Sequence, residues 1–408
     1  MSGERRAIVD CVVVGGGPAG LAASAALTDR GVEHLVLERG RAGESWRTQR
    51  WDSFRLNTPG WMNPLLGEQA RDDFLSGVDV VRRLEALTGD RPVRLGVRVE
   101  RLAPAAGGYL LRAGDGDLRA RTVVVATGDQ NVPRVPALAR TLPGRVAQFH
   151  AATYRGPGAL PAGAVLVVGS AQSGCQIAED LLSAGRRVVL ATSAAGRLPW
   201  WHRGRPSLEW LVAGGFFDQR PQDLPDPSAM RAAQPIVAPG GRSLSLQALA
   251  RAGATLVGRP VAVAGERITF DDSVRANVAA GDAFAARVRA MADEIIRRRG
   301  LDAPPAAPDD TDAPVDLDPP EALDLHTQEI GGVVWCTGFA GDFTWLDPAL
   351  LDAGGRPRHE DAAGVAPGLW YAGLRWLTRR GSSILHGFPG DAATAADAVK
   401  AHLDDRSH

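Results

Sequence analysis

An α/β fold in which one strand–turn–helix–strand unit occurs twice is predicted for this chain of 408 residues by three observations. The first is the apolar run Val12-Val13-Val14 leading into Gly15-Gly16-Gly17-Pro18-Ala19-Gly20. The second is Val165-Leu166-Val167-Val168 leading into Gly169-Ser170-Ala171-Gln172-Ser173-Gly174. The third is a shared ruler: Glu38 follows Gly15 by 23 residues, as Thr192 follows Gly169, and each stands 7 residues past a glycine suited to a helix C-terminus, Gly31 or Gly185. Small residues at the turn let the backbone tighten, approach a pyrophosphate and pack helix on strand, and the helix N-terminus then offers free N–H groups to the phosphates. One such fingerprint is weak evidence. Two in full context specify two Rossmann-like dinucleotide-binding domains.

The end of the second strand in each unit selects the nucleotide. Glu38 is acidic and suits the two hydroxyls of an unmodified ribose, which assigns FAD to the first site. The second copy has Thr192 and Ser193 instead, followed by Arg197, His202, Arg203 and Arg205, a set suited to a ribose 2′-phosphate. This assigns NADPH to the second site, with Arg197 the preferred phosphate ligand; the alternative for these arginines is a solvated basic loop. Ala171 in place of the middle glycine holds the phosphate slightly farther away.

Arg121-Thr-Val-Val-Val-Ala126-Thr127-Gly128 reads as a strand ending in a tight turn, and Gly332-Val-Val-Trp-Cys336-Thr337-Gly338-Phe339 repeats that pattern. The second fingerprint lies between them, so the NADPH domain is expected to be inserted into the FAD domain. The expected division is 1–158 and 331–408 for FAD and 159–330 for NADPH. A long helix is read over 271–300 from the spacing of Val274, Val278, Val288, Met291 and Ile295. Residues 301–320, rich in Pro and Asp, read as a mobile surface loop, and 394–403 as a terminal helix.

Composition narrows the class. Hydrophobic content of 45% and charge of 23% are those of a globular enzyme, and a net charge of −1 gives no general attraction to nucleic acid or anionic membranes. Lys400 is the one lysine, which argues against Schiff-base chemistry. With no signal peptide or membrane span read, a cytoplasmic location is expected. Cys11, Cys175 and Cys336 are too dispersed for metal-ligand spacing, and the closely spaced redox pair of a disulfide reductase is missing.

The two fingerprints, the Ala126-Thr127-Gly128 turn and the Cys336-Thr337-Gly338-Phe339 turn together resemble the class B flavin-dependent monooxygenases, the flavin-containing monooxygenase-like group. The likeness covers nearly the whole chain and is nearest a bacterial branch marked by Arg50-Trp51-Asp52-Ser53-Phe54-Arg55-Leu56 before Asn57-Thr58-Pro59, and by Gly381-Ser382-Ser383. Leu142-Pro143-Gly144 and His150 to Tyr154 resemble the family signature, with Leu for Phe and a gap two residues longer before His150. Baeyer–Villiger members usually carry Trp-Pro where this chain has Tyr154-Arg155-Gly156.

The resemblance implies hydride transfer from NADPH to FAD, reaction with O₂ to a C4a-hydroperoxyflavin, and oxygenation of a small organic substrate at nitrogen or sulfur. It implies Asn57 as the catalytic residue beside the flavin. The expected cofactor contacts are Gly15, Gly17, Pro18, Ala19, Gly20, Glu38, Arg39, Trp46, Arg47, Val99, Ala126, Thr127, Gly128, Cys336, Thr337 and Gly338. At the second turn they are Gly169, Ser170, Ala171, Gln172, Ser173, Gly174, Thr192, Ser193 and Arg197. Trp51, Trp61, Trp200 and Trp201 are candidates for an aromatic substrate wall, with core packing the alternative. His150 and His386 are packed histidines unless a partner is found. A Baeyer–Villiger oxygenase, a non-oxygenating NAD(P)H dehydrogenase and a redox-nucleotide sensor are the competing readings.

Overall fold

Residues 8–89, 91–114 and 116–406 are described by the computed structural model. The elements that carry the argument are, in chain order, β1 (Val9–Val14), α1 (Pro18–Asp29), β2 (His34–Glu38), β3 (Val93–Leu95), β4 (Gly116–Val125), β5 (Ala147–His150), β6 (Ala164–Val168), α2 (Gln172–Ser183), β7 (Val188–Ala191), β8 (Thr255–Val257), α3 (Val274–Arg299), β9 (Ile330–Trp335), β10 (Leu369–Tyr371) and α4 (Phe388–Asp405).

Two sheets form, each centred on the strand that precedes a glycine turn. In the first, β10, β4, β1, β2 and β3 run parallel in that order. In the second, β8, β7, β6, β9 and β5 do the same. Parallel strands covered on both faces must be apolar throughout, and the fully buried Val12, Val13, Val165 and Val167 meet that demand. Helix α1 packs against α4 on one face of the first sheet, where Ala23, Leu27, Ala395 and Val399 are buried. Burying a leucine such as Leu27 in this way contributes on the order of 1.5–3 kcal/mol.

The division of the chain differs from the expected one at its edges. Strands β5 and β9, expected with the FAD unit at 147–150 and 331–335, both belong to the second sheet, β9 pairing with β6 on one side and β5 on the other. The chain crosses between the units nearer 133 and 339, where Val132–Pro133 and Phe339–Ala340 pair as a short antiparallel ribbon. In chain order, the strands of the second sheet, β5 to β9, all lie between β4 and β10 of the first. The long helix spans Val274–Arg299 and the terminal helix Phe388–Asp405.

Candidate functional site: two matched turns and the cleft between strands and helices

The two turns match in their hydrogen bonds. Gly15 N–H donates to Leu37 O (2.8 Å) and Ala126 N–H to Val14 O (2.8 Å); Gly169 N–H donates to Ala191 O (2.9 Å) and Cys336 N–H to Val168 O (2.8 Å). Gly15 and Gly169 lie at φ +114° and +101°, and a Cβ on either would stand 2.6 Å from a carbonyl oxygen, of Ala126 or of Cys336. A Cβ on Gly20 would lie 1.8 Å from Gly15 O, and one on Gly174 1.7 Å from Gly169 O. Close packing alone therefore demands glycine at four positions. Gly17 is different: a Cβ there meets nothing within 4 Å, because the position faces an open cleft.

This pairing corrects the expectation for Cys336-Thr337-Gly338. The segment serves the second turn as Ala126-Thr127-Gly128 serves the first, because β9 stands beside β6 as β4 stands beside β1.

The open cleft, of about 530 Å³, is lined by Gly15, Gly17, Pro18, Ala19, Glu38, Arg39, Trp46, Val99, Ala126, Thr127 and Gly128 among the expected residues. Gly20 is buried behind it. Arg47 does not line it and instead pairs with Glu85 at 2.5 Å. Glu38 is buried and accepts hydrogen bonds from Gly16 N–H (2.6 Å) and Gly40 N–H (2.8 Å), which fixes its carboxylate at the β2 end of the cleft.

Two features show that this cleft fits FAD. The Thr127 hydroxyl is buried without a partner among the described residues. The Arg50 guanidinium lies over Trp46 (4.9 Å) and Phe54 (5.4 Å), donates to Gln49 O (2.8 Å), and is ion-paired with no described carboxylate. Burial brings Arg50 down to about 10. An unpaired cation and an unpaired hydroxyl beside a glycine cradle suit a polar, anionic dinucleotide. The Phe388 end of α4 completes the wall. No sequence signal marked Arg50 for this role, although the residue stands first in the Arg50–Leu56 run. Asp129, just past the Ala-Thr-Gly turn, also lines the cleft, and burial raises its carboxyl.

At the second turn, Ala171 caps α2 with no side-chain hydrogen bond, and Gln172 and Ser173 are half-buried in its first turn. Ser170 and Ser193 lock the turn to the strand end through Ser193 N–H to Ser170 Oγ (2.9 Å) and Ser170 Oγ to Ser193 O (3.1 Å). Thr192 is buried, donates to Val257 O (2.9 Å) and accepts from Asn277 Nδ2 (3.0 Å).

Arg197 is a correction. Its guanidinium is buried and bound to Asp282 (2.8 Å) on α3 and to Asp312, so it is already neutralised and turned inward rather than toward a phosphate. His202 and Arg203 share Asp293 of α3 at 2.8 and 2.6 Å, and Arg205 lies over Trp210 at 5.2 Å. The loop 301–320, expected to be mobile, supplies the Asp312 that holds Arg197 and Arg289, and an Asp309 that accepts from Ser243 (2.6 Å).

Residues 12–207 match the family described as pyridine nucleotide-disulphide oxidoreductase. An uncharacterized CzcO-like oxidoreductase of Geobacillus kaustophilus is 26% identical over 97% of this chain and 99% of its own length. Indole-3-pyruvate monooxygenase YUCCA1 of Oryza sativa is 34% identical over 45% of this chain and 48% of its own. A flavin-containing monooxygenase from Stenotrophomonas maltophilia superposes with a TM-score of 0.67 over 96% of this chain and 98% of its own, at 20% identity. At 20% identity the superposition on the monooxygenase shows a shared fold.

The remaining expected residues are dispersed. Asn57 does not line the cleft; its Oδ1 accepts from Gln176 Nε2 of α2 at 2.7 Å, and Gln176 also donates to Val237 O at 2.7 Å. His150 accepts Ala152 N–H on Nδ1 (3.1 Å) and donates from Nε2 to Gly338 O (3.1 Å), a packing role; burial lowers it. His386 is also lowered by burial and stands edge-on to Phe217.

None of the four candidate tryptophans lines the cleft. Trp51 packs edge-on to Phe54 and Trp200 to Phe74, both buried. Trp61 lies under Arg71 and Trp201 is 55% exposed. The aromatic wall is correspondingly reassigned to core and surface. Cys175 and Cys336 approach each other at the second turn, but burial raises both thiols, so they are inert packing groups. Among the described residues no helix is long and apolar enough to cross a membrane.

Proposed function

We propose that this oxidoreductase is an FAD-dependent, NADPH-consuming monooxygenase that oxygenates a small organic substrate at nitrogen or sulfur. The observation that carries the reading is the matched pair of turns, one opening on a cleft where Arg50 is ion-paired with no described carboxylate and the buried Thr127 hydroxyl has no partner among the described residues. Bound FAD supplies the hydride acceptor and the centre that activates O₂. The chain's own part is to bind, orient and exclude water. Glu38 anchors the ribose, Gly17 and the start of α1 receive the pyrophosphate, and the α2 N-terminus receives the NADPH pyrophosphate. Asn57, tied to Gln176 of α2, is a positioning residue at the junction of the two units. With Arg197 held by Asp282 and Asp312, selection of NADPH over NADH falls to other groups beside Ser193. Relatives of the same fold include an ornithine N-hydroxylase from Kutzneria and an S-allyl-L-cysteine S-oxygenase from Allium sativum, which favours nitrogen or sulfur as the oxygenated atom.

The test is stopped-flow absorbance. The FAD-loaded protein is reduced anaerobically with NADPH and mixed with oxygenated buffer without substrate. The expected result is a transient near-ultraviolet band that precedes the return of oxidised flavin absorbance. Direct reoxidation with no such band, or reoxidation only with an added acceptor, would replace the monooxygenase by a dehydrogenase.

A further inference from the structure

A second cavity of about 230 Å³ lies against the segment that follows β7, between Ala194–Gly196 and the Arg375–Ile384 stretch that leads into α4. Its walls are apolar and aromatic: Phe216, Phe217, Phe284 and Trp376. Its polar lining is dominated by three guanidiniums, Arg287, Arg375 and Arg380, and includes no aspartate or glutamate.

These cations are poorly compensated. Arg380 sits over Phe216 (4.1 Å) and Trp376 (4.5 Å), and its Nε donates to the side-chain carbonyl oxygen of Gln219 at 3.0 Å. Arg375 donates to backbone carbonyls of Met230 (3.0 Å) and Ala232 (3.4 Å). Arg287 lies over Phe284 at 5.5 Å and pairs with no described carboxylate. The Asp129 carboxylate accepts from the Arg375 backbone N–H at 3.3 Å and lines the neighbouring cleft. Arg197, Arg203 and Arg242, by contrast, are matched to carboxylates. Concentrating unmatched guanidiniums in one aromatic cavity costs electrostatic free energy unless an anion enters it.

The cavity also has a defined relation to the flavin. Ser383 lines both it and the FAD cleft, so the two spaces meet at the end of the cleft where α4 begins. We infer that this cavity is the substrate site and that it takes an aromatic carboxylate, its ring between Phe216, Phe217, Phe284 and Trp376 and its carboxylate on Arg380 and Arg375. This deepens the monooxygenase reading and rests on it. The size suits a single fused or substituted ring system. The guanidinium fork orients the carboxylate bidentately, which directs the rest of the molecule toward Ser383.

The test measures binding to the oxidised FAD-loaded protein, with no NADPH and no turnover, so that its outcome stands apart from the oxygen-reaction test. Indole-3-acetate, its uncharged isostere indole-3-acetamide and the non-aromatic cyclohexylacetate are titrated while flavin absorbance and tryptophan fluorescence are followed. The expected order is indole-3-acetate tightest, with the amide and the cyclohexyl acid each weaker by roughly tenfold or more, the scale of a charge-assisted hydrogen bond. Arg380→Gln is expected to remove that preference for the carboxylate, Arg380→Lys to restore part of it, and the exposed Arg287→Gln to weaken it with the fold unperturbed. Equal affinity for acid and amide would overturn the proposal. So would an Arg380→Gln variant with unchanged indole-3-acetate binding; weaker binding of NADP⁺ but not of NAD⁺ by that variant would place the adenosine 2′-phosphate end of the dinucleotide in the cavity.

Discussion

The two glycine turns share one backbone and differ in what that backbone faces. In both, the first and last glycines stand against carbonyl oxygens: a Cβ added at them would lie 2.6 and 1.8 Å from oxygen in the first unit and 2.6 and 1.7 Å in the second. These glycines are a packing requirement, independent of any ligand. The middle position is where the units part. Gly17 borders the open FAD cleft, whereas the second unit has Ala171 there. The strand ends part too: Glu38 is fixed by two backbone N–H groups, while Thr192 is consumed by Val257 and Asn277. Only the middle residue and the strand end are free to specify a ligand.

The largest expected effect breaks this split most directly. Gly174→Ala should cost about 3 kcal/mol or more, because its methyl meets a backbone oxygen that cannot move without shifting the α2–β6 turn. Gly17→Ala should leave the stability of the FAD-free protein within about 0.5 kcal/mol and lower the fraction of purified protein that retains FAD. Thermal unfolding with and without FAD, together with flavin content, separates the two. An FAD-free Gly17→Ala protein as unstable as Gly174→Ala would show that the distinction between packing and cradle glycines is wrong.

A smaller effect sharpens the contrast at the strand ends. Arg197→Gln removes a buried cation from two partly exposed carboxylates of α3 and the 301–320 segment. Stability is expected to fall by about 1–3 kcal/mol, less than for a fully buried pair because solvent screens Asp282 and Asp312. The KM ratio of NADPH to NADH should stay unchanged. A selective rise in the KM for NADPH would return Arg197 to the phosphate and mean that Asp282 and Asp312 release it on binding.

What could be read from the sequence follows the same division. The strand–turn–helix units were legible because their glycines and apolar runs answer to local packing, which is periodic in the chain. The FAD assignment was legible because Glu38 ends a strand whose register the turn dictates. Arg197 was misread because its partners, Asp282 and Asp312, lie far along the chain, and only the folding of α3 across the loop brings them together. Strand β9 was placed with the wrong sheet for a related reason: its apolar run fits either sheet, and only pairing with β6 decides. The tryptophans failed as a wall because abundance says nothing of direction. Trp376 faces the second cavity with no sequence feature to mark it.

The smallest effect concerns the Cys336-Thr337-Gly338 turn, whose counterpart in the first unit has no histidine support among the described residues. His150 accepts Ala152 N–H on Nδ1 and donates from Nε2 to Gly338 O, an arrangement that only the neutral ring can satisfy. Protonation at Nδ1 would set two N–H donors against each other, and burial lowers the folded-state pKa in the same direction. A folded pKa below the unfolded value, about 6.5, means that the unfolded chain binds the proton first. This contribution to stability is therefore full above that value and is lost as pH falls from it toward the folded pKa. His34, His386 and His402 are lowered as well and act with the same sign, so the thermal midpoint of the parent protein should fall between about pH 7.5 and 5 by more than one histidine explains. His150→Gln offers the same acceptor and donor without titrating. Its midpoint should fall less steeply than the parent's across that window and match the parent's slope above it, whereas superimposable curves would show that His150 does not couple the second turn to pH.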